Sequence, residues 1–200
     1  MITEEHILLH HGAYYKKYPA KEIIFQSGDV PRFFIQIRSG TVELNNYHDD
    51  GREFTLNILS MGDSIGGSLL FSTQNYPMNA IAKTDCIVLK LSKSKFLEMV
   101  KNNSEIALKL LEDFSHSLYH KYTMLFNNSS IDPLAKITSL LDYYKRCANE
   151  EKRYCYHLPL TRQQIANLTG LRVETVIRTI KRMEELDLVH LKHRQEFISQ

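Results

Sequence analysis

Between residues 21 and 92 a glycine-centred turn signal returns about every ten residues, the spacing of short strands joined by tight turns. The turns are Ser27-Gly28-Asp29, Ser39-Gly40, Asp49-Asp50-Gly51 and Met61-Gly62-Asp63. Glycine supplies the positive φ that such turns need, and an adjacent aspartate caps its own backbone. The runs between them, "EIIF", "FFIQI", "TVELNNY", "EFTLNIL", "AIAK" and "CIVLKL", are β-branched and aromatic. Short strands so punctuated predict an antiparallel sandwich or roll.

At Ser92 the pattern becomes helical. "SKSKFLEMV" begins on a serine cap and spaces Phe96, Leu97 and Val100 for one helix face. The next stretch places Ala107, Leu111, Phe114, Leu118, Tyr122 and Leu125 at alternating steps of three and four, a near-heptad stripe. Such a stripe packs either on the helix's own sheet or on a second copy, and this helix is long enough for part of it to do each; a dimer seam is the expectation. "NNSSIDP" is turn chemistry ending in proline and marks a boundary. Beyond it Asp132 caps a helix with Pro133 at its first position, and "YCYHLPL" reads as a short strand. The expected organisation is α+β: an antiparallel sandwich or roll over residues 1–103, a long helix and hinge over 104–130, and a helical C-terminal domain over 131–200.

No stretch approaches the apolar length of a membrane span, and the first residues lack the basic-then-apolar order of a signal peptide, so a cytoplasmic protein without membrane association is expected. Cys86, Cys147 and Cys155 are an odd, scattered set, against a disulfide framework or a metal site of closely spaced thiolates. Cys86 reads as a buried strand residue, the other two as packed or incidental thiols. From residue 133 onward 12 Lys or Arg stand against 8 Asp or Glu, whereas residues 1–132 hold 13 against 15. A polyanionic partner would therefore meet the C-terminal part.

That part carries two closely spaced helices, "TRQQIANLTG" and "RVETVIRTIKRMEELD". Thr161 and Gln164 have capping-box spacing; Ile165, Ala166 and Leu168 form an apolar face; Gly170 ends the first helix. The second turns Val173, Val176, Ile180 and Met183 inward and Arg172, Glu174, Thr175, Arg178 and Arg182 outward. Two short helices joined at a glycine form a helix-turn-helix, whose second helix enters the DNA major groove. There arginine can donate to guanine O6 and N7, and glutamate can accept from cytosine N4. Glu174 and Arg178 are four apart, a spacing that equally suits an ordinary surface ion pair. "LVHLKHRQEFIS" then predicts two short strands with His190, Lys192, His193 and Arg194 at a wing suited to phosphate contact.

Taken together, "FQSGDVPRFFIQIRSGTVEL", "DGREFTLNILSMGDSIGG", "AKTDCIVLKLSKSKF" and "LPLTRQQIANLTGLRVETVIRTIKRMEELDLV" resemble the Crp-Fnr family of bacterial transcription regulators in the family's order. The resemblance implies a cyclic-nucleotide-binding-type β-roll (double-stranded β-helix, jelly-roll-like) over residues 1–103, a dimerisation helix and hinge over 104–130 whose seam would use Leu111, Phe114, Leu118, Tyr122 and Leu125, and a winged helix-turn-helix DNA-binding domain over 131–200. It implies that Glu174 and Arg178 read the C and G of a TGA-type half-site in an inverted repeat, with RNA polymerase as a further partner. Ile177 stands where the oxygen-sensing branch has serine, and Val173 where the cyclic-AMP branch has arginine; Ile177 favours a thymine methyl. Backbone phosphate contacts would come from Thr161, Arg162, Arg172, Thr175, Lys181, Arg182 and Lys192.

The effector region departs from the family's cyclic-AMP pattern. Its residues are Gly66, Gly67, Ser68, Tyr76 and Pro77: Gly67 stands where the ribose-binding glutamate is expected, and Tyr76 at or next to the position of the phosphate-binding arginine. A buried phosphate without that arginine is unfavourable by several kcal/mol, which argues against cyclic AMP. The oxygen sensors' N-terminal cysteine cluster is missing, which argues against an iron–sulfur cluster. The effector is otherwise unknown. His116 and His120 have metal-ligand spacing but also suit two exposed polar residues, and His10, His11 and His48 are open as haem ligands. No nucleophile, base or metal for catalysis is expected, and a cupin-like enzyme would need an HxH strand that no stretch supplies. The competing reading is a ligand-binding module acting through a protein partner.

Overall fold

The structure, a computed structural model, describes residues 4–47, 49–51, 53–147, 156–158, 160–192 and 195–198. His48, Cys155, His193 and Arg194 lie outside the described residues, as do the side chains of His120, Cys147, His190 and Lys192. The chain divides into two compact units, Met1–His116 and Ser117–Gln200.

The first unit opens with α1 (Glu5–His10) and β1 (Tyr14–Tyr18), followed by β2 (Ile23–Phe25), β3 (Phe33–Ser39), β4 (Val42–Tyr47), β5 (Glu53–Leu59), β6 (Asn79–Ala82) and β7 (Cys86–Ser92). Two antiparallel sheets result, ordered β1-β7-β3 and β2-β6-β4-β5. Side chains alternate across a strand, so Ile35 and Ile37 of β3 and Cys86 and Val88 of β7 turn inward. There they join Phe25, Val42, Leu44, Ala80 and Ala82 from the other sheet in one core. The alternate residues, Phe34, Leu89 and Leu91, pack on Leu8, Phe96, Met99, Ile106 and Leu110 of the helices in a second core. Burial on both faces is why "FFIQI" and "CIVLKL" read as nearly unbroken apolar runs. Each such buried aliphatic contributes roughly 1.5–3 kcal/mol. Cys86 is buried, as expected.

Two elements were not legible as expected. Neither α1 nor β1 was foreseen: "YYKKY" has no apolar alternation, yet it pairs Tyr14 with Lys90 and Tyr18 with Cys86 at the sheet edge. Ser92 does sit at the N-cap of α2 (Lys93–Lys101), but its side chain makes no cap hydrogen bond.

Helix α3 (Ser104–Asn128) runs across the division between the two units. Ile106 and Leu110 are buried and Phe114 half-buried, edge-on to Phe71. Leu111, Leu118, Tyr122 and Leu125 of the expected stripe are exposed, together with Leu108, Tyr119 and Phe126. The helix thus carries two apolar faces, and Phe114 belongs partly to the inner one.

The second unit continues with α4 (Pro133–Cys147), β8 (Tyr156–Leu158), α5 (Arg162–Thr169), α6 (Val173–Glu185), β9 (Val189–Lys192) and β10 (Gln195–Ile198). Asp132 Oδ1 accepts from Leu134 N at 3.0 Å, the cap foreseen before Pro133. Strands β8, β10 and β9 form a small antiparallel sheet in that order. Among the described residues no helix is long and apolar enough to cross a membrane.

Candidate nucleic-acid interface and effector region

The start of α5 is closed by its own side chains. Thr161 Oγ1 accepts from Gln164 N at 3.2 Å, while Thr161 N donates to Gln164 Oε1 at 2.8 Å. Its end is closed as well: Gly170 is left-handed (φ 68°), which a Cβ would disfavour, and Leu171 N donates to Ala166 O. The last carbonyls of α5 are tied from neighbouring helices, with Asn128 Nδ2 donating to Leu168 O at 3.3 Å and Lys136 Nζ to Thr169 O at 3.4 Å. Ile165, Ala166 and Leu168 are buried against the rest of the unit. This first helix is a clamped support.

Helix α6 differs. Val176, Ile180 and Met183 are buried and Val173 half-buried, so the helix is held by one stripe. Its outer face presents Glu174, Ile177, Arg178, Lys181 and Arg182 to solvent, with Arg172 exposed at the N-cap. No side chain caps this N-terminus, so its first amides and the positive end of the helix dipole are free to meet an anion. Among the described residues Glu174 and Arg178 make no ion pair within 4 Å with each other or with any neighbour. An ordinary i, i+4 surface pair is therefore not what holds them. The remaining expected phosphate contacts differ in availability. Thr161 is exposed, but its hydroxyl oxygen already serves the cap; Thr175 is half-buried; Arg162 is half-buried and engaged within the protein. The side chain of Lys192, on β9, lies outside the described residues.

In the β-roll, Gly66 is left-handed (φ 65°) and opens a 3-10 turn over Gly67–Phe71. Tyr76 is buried and stacks on Phe25, ring centroids 3.7 Å apart and 7° from parallel. A Cβ on Gly66 would stand 2.6 Å from Tyr76 Cε1, so glycine here makes room for that ring. Burial pushes the Tyr76 phenol up to about 12. Gly67 is buried, whereas Ser68 and Pro77 are exposed. The segment from Gly66 to Pro77 contains no Lys, Arg, Asp or Glu. It offers a cyclic phosphate no cationic side chain, and an aromatic pair fills the space beside Gly66.

Of the histidines open as ligands, His116 is exposed with Nε2 3.9 Å from Glu112 Oε1, and His11 Nδ1 lies 2.9 Å from Ile7 O. Among the described residues no group of three or more His, Cys, Asp or Glu is arranged to hold a metal ion.

A nucleotide-sensor-type β-roll followed by a helix-turn-helix with an unpaired, outward-facing second helix defines a class: one-chain regulators that bind DNA. The cyclic nucleotide-binding domain family matches residues 15–103, and the Crp-like helix-turn-helix domain family matches residues 136–199. The chain is 30% identical over 182 residues to the cAMP-activated global transcriptional regulator Vfr of Pseudomonas aeruginosa, covering 88% of this chain and 85% of that one. It is 26% identical over 176 residues to the cAMP-activated global transcriptional regulator CRP of Haemophilus influenzae, covering 87% and 79%. Its fold matches that of the c-di-GMP responsive global regulator CLP of Xanthomonas campestris with a TM-score of 0.78 at 20% identity, over 98% and 97% of the two chains. The protein belongs to the Crp-Fnr family of DNA-binding transcription regulators.

Proposed function

We propose that the protein is a homodimeric regulator that reads an inverted repeat with a TGA-type core and whose β-roll does not respond to cyclic AMP. The observation that carries the DNA reading is the unpaired Glu174–Arg178 face of α6 beside an uncapped helix N-terminus. Arg178 reads guanine and Glu174 the neighbouring cytosine, while Ile177, 46% exposed among charged residues, lies against a thymine methyl. Arg172, Lys181, Arg182 and Lys192 hold backbone phosphate, with half-buried Thr175 as a secondary contact and Thr161 and Arg162 as others once their present partners yield. The domain plan is a sensor over 1–103, a dimerisation helix and hinge over 104–130, and a DNA-binding domain over 131–200.

The dimer rests on the exposed apolar stripe of α3. Leu111, Leu118, Tyr122 and Leu125, with Leu108, Tyr119 and Phe126, leave too much contiguous apolar surface for a lone helix in water. Two copies joined along it place two recognition helices about one helical turn of DNA apart. The case against cyclic AMP is the absence of a cation between Gly66 and Pro77 together with the Phe25–Tyr76 stack. Nothing in this reading requires catalysis, and RNA polymerase is the partner through which a DNA-bound dimer of this family would act.

The test is selection of bound duplexes from a randomised pool by ligand-free protein, followed by affinity against salt for the winner. A TGA-containing palindrome is expected, with affinity falling steeply as salt rises. An enriched site without two-fold symmetry would overturn the dimer reading. If no site is enriched even with cyclic AMP present, DNA readout by α6 fails; enrichment only on adding cyclic AMP overturns the effector claim.

A further inference from the structure

Strand β7 carries Cys86 and Val88 into the main core, and the next residue in that inward register is a lysine. Lys90 is only 9% exposed. Its cross-strand partners are Tyr14 and Ile35, its ammonium lies 3.5 Å from Tyr18 Oη and 4.3 Å from the centroid of the Phe33 ring, and among the described residues no carboxylate comes within 4 Å of it. A buried ammonium with only a long hydroxyl contact and an aromatic face is costly. Burial, and then Lys16 nearby, lower its pKa.

Lys90 borders a cavity of about 270 Å³, walled by Ile24, Phe25, Phe33, Ile35 and Tyr76, with Arg32 and Asp29 exposed at the rim. The rim is held in place. Tyr76 N donates to Asp29 O at 2.9 Å, Gly28 N donates to Tyr76 O at 2.8 Å, and Asp29 Oδ2 accepts from Gln26 N. The cavity shares Tyr76 with the effector region, but Gly66, Gly67, Ser68 and Pro77 do not line it.

We propose that this cavity binds a small aromatic carboxylate, with its ring on the apolar walls and its carboxylate on the Lys90 ammonium. Size supports the choice. A protein cavity of roughly 150 Å³ accommodates benzene, so the space here holds a ring plus one small polar substituent. Three aromatic walls favour a flat ligand. One buried cation among mostly aromatic and aliphatic walls neutralises a single negative charge; a phosphate dianion would need more donors than the walls supply. Arg32 and Asp29 share the rim and offset one another there, so the pull on the carboxylate comes from Lys90. The site does not depend on the DNA reading and stands or falls separately from it.

The experiment uses the full chain, benzoate as the probe and benzyl alcohol as its neutral counterpart, with calorimetry for affinity and isoleucine methyl resonances for location. Saturable benzoate binding that moves the Ile24 and Ile35 methyl signals is expected. Lys90→Met keeps the length and apolar bulk of the side chain, so the fold should survive, as a thermal melt will check. It should weaken benzoate at least about tenfold while leaving benzyl alcohol within about twofold. Arg32→Gln should cost benzoate only a small factor. No saturable benzoate binding in the tens-of-millimolar range, equal affinity for Lys90→Met, or methyl shifts confined to other residues would each overturn the proposal.

Discussion

The two ends of this chain position their functional candidates in opposite ways. On α6 the groups that matter point outward and are left without partners: Glu174 and Arg178 make no ion pair among the described residues, and the helix N-terminus has no side-chain cap. In the β-roll they point inward. Tyr76 is stacked on Phe25, Gly66 gives up a side chain to fit it, and Lys90 is buried where its strand should be apolar. At the proposed outward site Glu174 and Arg178 would bind by addition, since neither has an ion-pair partner among the described residues to give up. The proposed inward site would admit only what fits its walls, so its lining residues would set the ligand.

The contrast is sharpest in the connecting helix, where the apolar side chains of one face are left exposed. Leu118→Glu puts an unpaired charge into that stripe and should weaken self-association by about 3 kcal/mol, more than about 100-fold in Kd. Sedimentation that still finds an unchanged dimer would move the seam off α3. Next in size, Gly66→Ala forces a Cβ to a φ of 65° and to 2.6 Å from the Tyr76 ring. A loss of about 2 kcal/mol in chemical denaturation is expected, and a neutral result would show that the Phe25–Tyr76 stack yields easily. On the outward side, Arg178→Ala should cost roughly 1–3 kcal/mol on the selected duplex and little on random DNA. Equal losses on both would make Arg178 a phosphate contact.

Smaller effects separate the buried groups by pH. The lowered pKa of Lys90 means that the native state holds this proton less tightly than the unfolded chain, whose value is near 10.5. Stability attributable to this group is therefore least below the lowered folded value and rises with pH toward 10.5. Lys90→Met should raise the melting temperature by a few degrees at neutral pH and flatten that alkaline rise; a lower melting temperature would mean that Lys90 has a stabilising partner. Tyr76 runs the other way. With its folded pKa near 12 against 10.0 unfolded, the stability it confers is complete below pH 10 and is lost as pH climbs toward 12. Ultraviolet titration should show a late-ionising tyrosine that Tyr76→Phe removes.

What was legible follows from periodicity. The helix pair was readable because a capping box, a glycine stop and a three-and-four apolar stripe are local, and the structure forms each of them at Thr161–Gln164, Gly170 and Val176–Met183. The strands from β2 to β7 were readable for the same reason. Strand β1 was not, because Tyr14 to Lys17 are exposed, only Tyr18 is buried, and the run shows no apolar alternation; it becomes strand by pairing with β7. The α3 stripe was half legible. Its heptad spacing was plain, but which members face the roll depended on Phe71 and Phe96, so Phe114 went inward while Leu108, Tyr119 and Phe126 joined the exposed face.

The amino-acid sequence by itself determined the order of elements from β2 onward, the family and the helix pair that carries the candidate recognition face, because helix caps, turns and surface stripes are set by neighbours within a few positions. Only the tertiary structure decided the interior. That Tyr76 stacks on Phe25, that Gly66 clears space for it, and that Lys90 borders a cavity all depend on strands far apart in the chain meeting across two sheets. A lysine in "CIVLKL" looks like the polar beat of an exposed strand. It became a buried cation because that sheet is covered on both faces, and the outward beat had already been taken by Leu89 and Leu91.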